Sequence, residues 1–70
     1  MKWHITAQAY MRETGAKIGR ARTETIDTET NEIFSDAWNS VDVKRRFESF
    51  WNEINPNSLE IVKVISVERE

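Results

Sequence analysis

Seventy residues, no cysteine and a formal charge of −2 describe one small domain with neither disulfides nor thiolate-bound zinc to hold it together. The slight acidity weighs against an overall electrostatic grip on nucleic acid, and no apolar run approaches the roughly 18 residues of a membrane span. Met1-Lys2-Trp3-His4-Ile5-Thr6 lacks the apolar centre of a secretion signal, so a cytoplasmic protein is expected.

Residues 2–12 alternate, with Trp3, Ile5, Ala7, Ala9 and Met11 on one side and polar residues on the other. Period two over that length predicts a half-buried strand, whose small alanines leave room for bulky neighbours. Glu13-Thr14-Gly15 reads as a turn, with Gly15 free to take a positive φ. A second strand is expected over 17–28, forming a hairpin with the first. Its alternation is imperfect, and Gly19 is placed to host a bulge that resets the parity. Glu32–Trp38 fits either a short third strand or a helical turn, and the preceding turn at Thr28–Asn31 favours the strand.

Ser40–Ile54 carries the clearest signal. Val43, Phe47, Phe50, Trp51 and Ile54 share one arc at about 100° per residue, which predicts an amphipathic helix. Asn39 or Ser40 is the expected N-cap, with Asp42 favourable in the first turn. Asp42–Arg46 and Lys44–Glu48 are expected i,i+4 ion pairs. Asn55-Pro56-Asn57 reads as the stop. Trp51 is expected in the core, over Ala7 and Ala9, whereas Trp38 is expected to be partly exposed.

Residues 59–67 form the strongest strand, with Leu59, Ile61, Ile65 and Val67 on one parity and Val62 and Val64 on the other. Apolar residues on both faces suggest a strand inside the sheet, or one that pairs with its twin in a homodimer. The expected fold is α+β: an antiparallel sheet of three to four strands, β-β-(β)-α-β, with one amphipathic helix on one face.

Recognisable reaction chemistry is missing. His4 is the only histidine and lies on the polar side of strand one, with no motif around it for a catalytic triad. Asp27-Thr28-Glu29-Thr30-Asn31 resembles the start of a calcium loop, but Glu32 stands where glycine is needed and Trp38 where the bidentate glutamate belongs. Gly15 and Gly19 are not followed by the Gly-Lys-Ser/Thr of a phosphate loop. No cofactor, no metal and no enzymatic activity are expected.

Charge is polarised along the chain. The acidic stretch holds Glu24, Asp27, Glu29, Glu32 and Asp36, and with Trp38 it forms an expected surface for a basic protein partner. Lys17, Arg20, Arg22, Lys44, Arg45 and Arg46 would make a phosphate-gripping patch if strand two and the helix start converge. The sequence therefore suggests a small non-enzymatic protein-binding or regulatory protein, of the size of phage and mobile-element accessory or inhibitor proteins. An RNA- or DNA-binding module is the alternative.

Overall fold

The computed structural model describes residues 1–54 and 57–70. Strand β1 (Lys2–Met11) turns back into β2 (Lys17–Asp27). A single 3₁₀ turn (Glu32–Phe34) leads to helix α1 (Ser40–Glu53), and β3 (Glu60–Arg69) closes the sheet. The sheet is antiparallel with order β2-β1-β3, so the first strand is central and the helix lies on one face.

The hairpin forms as its glycine predicts. The Met11 amide donates to the Ala16 carbonyl at 2.7 Å, and Gly15 takes φ +75°, a value costly for a residue with a Cβ. Further along β2 the register against β1 slips: Ala7 faces Arg22, yet Ala9 faces Ile18. The bulge expected at Gly19 (φ +65°) is present, but it absorbs two extra residues and not one. Parity is therefore preserved. Ile18, Arg22, Glu24 and Ile26 face the same side as Ala9, Ala7, Ile5 and Trp3.

Residues 32–38 do not form the third strand. Asn31 accepts from the Ile33 amide and starts the 3₁₀ turn, which drives Phe34 and Ala37 into the core. Phe34 and Ala37 are three apart, a helical spacing that a strand would have placed on opposite faces. Trp38 is left outside, as expected, 77% exposed.

Helix α1 opens on Asn39, whose side chain accepts from the Asp42 amide at 2.9 Å. The stop expected at Asn55-Pro56-Asn57 lies partly outside the described residues. The apolar arc is buried only in part. Val43 and Phe47 join Trp3, Ile5, Phe34, Ala37 and Val64 in the core, whereas Trp51 stays 42% exposed and Ile54 is solvent-facing. The Trp3 indole N–H is buried with no acceptor among the described residues.

Strand β3 is an edge strand, contrary to the expectation from its two apolar faces. The reason is a bulge: Thr6 pairs Ser66 and Ala7 pairs Val64, leaving Ile65 without a counterpart. The extra residue resets the alternation, so Val67 joins Val64 and Val62 on the helix side while Ile65 is exposed. The helix packs mainly along β3, and its side chains cap that strand's outer edge. Asn52 donates to the Val62 carbonyl (3.0 Å) and accepts from the Val62 amide (2.7 Å), much as a neighbouring strand would. Glu48, one turn earlier, accepts from the Val64 amide at 2.9 Å instead of pairing with Lys44.

Candidate functional site

Because the helix leans toward β3, the helix-side face of β2 is left uncovered. The result is an open cleft of about 410 Å³ between α1 and β2. Its floor is apolar and shallow, from Ala7, Ala9, Ile18 and Val62; the two alanines are what make the depression. Phe47 and Trp51 form one wall, with Trp51 packed edge-on to Phe50 at 5.5 Å. Arg20, Arg22 and Glu24 line the opposite side, and Glu60 closes one end. Trp51 thus does lie with Ala7 and Ala9, but as a half-exposed wall and not as core.

Gln8 holds the cleft's outer wall in shape. Its side chain is 5% exposed and its amide donates to the carbonyls of Ile18 (3.1 Å) and Gly19 (3.2 Å). Gly19 lies within the bulge, outside the β1 register, and Ile18 beside it is the residue at which pairing with Ala9 resumes. Sequence reasoning passed over Gln8, although a glutamine opposite a predicted bulge is the available signal.

The expected basic patch divides. Arg20 and Arg22 meet at the cleft and form no ion pair among the described residues. Arg45 is engaged by Asp42 at 2.6 Å. Arg46 bonds the Ile33 carbonyl (3.1 Å), Asp36 and Asp42 (3.2 Å), clipping the 3₁₀ turn to the helix. The Asp42–Arg46 pair is the one expected from spacing. Lys17 and Lys44 are exposed and outside the cleft lining.

The acidic stretch is likewise dispersed. Glu24 lines the cleft, Asp27 caps the turn after β2 by accepting from the Glu29 amide (3.0 Å), and Asp36 belongs to the Arg46 clip. The guanidinium of Arg46, by hydrogen bond and charge, holds the Asp36 carboxyl below its ordinary value. Glu29 and Glu32 remain exposed, as does Trp38.

His4 lies on the opposite, open face of the sheet and shares a hydrogen bond with Thr25 at 3.0 Å, beside a Thr6–Thr23 hydroxyl pair at 2.8 Å. Among the described residues, no group of three or more His, Asp or Glu is placed to hold a metal ion. No helix among them is long and apolar enough to cross a membrane. Comparison with models of known protein families, with curated proteins and with solved structures finds no match.

Proposed function

We propose that this protein is a non-enzymatic binding module whose working surface is the cleft between α1 and β2, and that its ligand is a segment of another protein. One observation carries this reading. A half-exposed tryptophan faces two guanidinium groups without ion-pair partners across an apolar floor. Partly exposed aromatics and arginines are the residue types that dominate protein interfaces. The pairing suits a segment that seats an apolar side chain on Ala7 and Ala9 and sets a carboxylate against Arg20. The acidic stretch supports a basic partner less well, because Asp27 and Asp36 are used inside the fold.

Nucleic-acid binding draws on the same Trp51, Arg20 and Arg22, since a base can stack on an indole. It is the weaker reading: Glu24 and Glu60 share the cleft, and Arg45 and Arg46 are occupied elsewhere.

Selection of random peptides displayed on phage, followed by chemical-shift mapping, tests the proposal. The expected consensus is an aromatic or aliphatic residue beside Asp or Glu, with shifts centred on Ala7, Ala9, Ile18 and Trp51. Trp51→Ala and Arg20→Glu are expected to weaken binding by about tenfold or more, the range of an interface hot spot. A basic consensus mapping to Glu29, Glu32 and Trp38 would contradict the cleft. Binding to generic single-stranded RNA that falls steeply with salt would favour the alternative.

A further inference from the structure

The two edges of the sheet are treated differently. On β3, the main-chain groups that a twin would need at Val62 and Val64 are taken by Asn52 and Glu48, so the pairing expected through residues 59–67 meets a closed edge. Nothing comparable covers β2 among the described residues.

Which β2 groups point outward follows from the ladder. Along β1, Met1 and Met11 bond toward the β2 side (Thr28 and Ala16), whereas Lys2 and Arg12 bond toward the β3 side (Glu70 and Leu59). Odd-numbered β1 residues therefore turn their main chain to β2. Their partners Arg22, Glu24 and Ile26 turn inward to meet them. Thr23 and Thr25 are left with N–H and C=O at the free edge.

We infer that β2 pairs with β2 of a second copy of this chain, antiparallel across a two-fold axis at Thr23. An edge-to-edge contact must match outward residues with outward residues, which allows registers only in two-residue steps. Centring on Thr23 sets Arg22 of each copy directly opposite Glu24 of the other. Centring on Arg22 sets arginine against arginine, and centring on Glu24 sets glutamate against glutamate. Directly opposed side chains lie about 4.5–5.5 Å apart at Cβ, where opposite charges attract and like charges repel. Of these three registers, only the one at Thr23 complements itself.

Two further features fit. The helix lies toward β3, so the margin of the sheet beside β2 is clear for a second copy. The bulge at Gly19–Ala21 bends the strand and limits pairing to a short central stretch, which stops open-ended strand addition. The pairing joins the two sheets and sets the two clefts side by side, with Arg20 still free to meet a ligand. It does not depend on the cleft's having one.

Sedimentation velocity over a concentration series tests this without any ligand. The wild-type chain is expected to show a monomer–dimer equilibrium. Arg22→Glu and Glu24→Arg are each expected to weaken it by about tenfold, because each variant creates two like-charge contacts. Mixing the two variants restores complementarity at both contacts and is expected to return the dimer. Thr23→Pro removes an outward N–H that the β1 ladder does not use. It is expected to abolish the dimer with the circular-dichroism spectrum unchanged. A wild-type chain that stays monomeric to about 1 mM overturns the inference. So does a dimer that neither Thr23→Pro nor the charge variants affect, or a variant mixture that remains monomeric.

Discussion

Among single residues, Gln8 and Trp38 show how far exposure and sequence character diverge. Gln8 is polar yet buried, because its side-chain amide donates to the carbonyls of Ala9, Ile18 and Gly19 beside the β2 bulge. Gln8→Ala removes these part-buried hydrogen bonds and is expected to cost about 1–3 kcal/mol in urea unfolding, the usual range for losing a buried polar contact. Trp38 is the largest side chain type in the sequence and contributes little to the core. Trp38→Ala is expected to change unfolding free energy by no more than about 0.5 kcal/mol, as at other exposed sites. Phe47→Ala, by contrast, empties a position only 4% exposed and is expected to cost about 3–5 kcal/mol. Equal effects of the two aromatic substitutions would contradict this division between core and surface.

At the level of elements, the helix does two jobs with two faces. Val43 and Phe47 bury against the sheet, while Glu48 and Asn52 reach the main chain of β3. Asn52→Ala removes a donor and an acceptor from Val62. It is expected to destabilise by about 1–3 kcal/mol and to expose a strand edge prone to intermolecular pairing, read as aggregation during thermal unfolding. The Arg46 clip ties the 3₁₀ turn to the helix through Ile33 and Asp36. Because that contact lowers the Asp36 pKa, its stabilisation is present at neutral pH and is lost as pH falls through the depressed folded value. A carboxyl ¹³C titration by NMR is expected to place the Asp36 midpoint below the ordinary aspartate value; a midpoint at or above it would remove the clip.

These elements were unequally legible. The alternation of Trp3, Ile5, Ala7 and Ala9, Gly15 at its turn, and the spacing of Val43 and Phe47 each carry a local period that outlives folding. Phe34 and Ala37 were ambiguous because seven residues hold both a two-residue and a three-residue period, and the Asn31 cap decides between them. Ile65 and Gly19 misled for one reason. A bulge adds residues to one strand only, so the number it adds decides which face each later side chain takes, and that number is set by the partner strand. The cleft was half legible. Arg20 and Arg22 were expected to act together in a basic patch, but Trp51 was assigned to the core because periodicity gives a residue's face and not how far the neighbouring strand extends beneath it.

For the whole molecule, the helix is too narrow to cover three strands, and its placement over β3 determines everything else. One edge is closed, one edge is open, and the uncovered strip of sheet between helix and open edge becomes the cleft. With so small a core, this chain has few ways to build a deep enclosed site, and the proposed binding surface is accordingly an open cleft. The cleft and the open edge adjoin along β2, so a partner segment in one and a second copy on the other would address the same strand from two directions.

Amide hydrogen exchange in dilute protein, read residue by residue by NMR, tests that asymmetry most directly. The Val62 and Val64 amides are expected to exchange slowly, held by Asn52 and Glu48, while those of Thr23 and Thr25 exchange near the rate of an unstructured peptide. Fast exchange at Val62 and Val64, or strong protection at Thr23 and Thr25 in the monomer, would contradict a helix that closes one border of the sheet and leaves the other free.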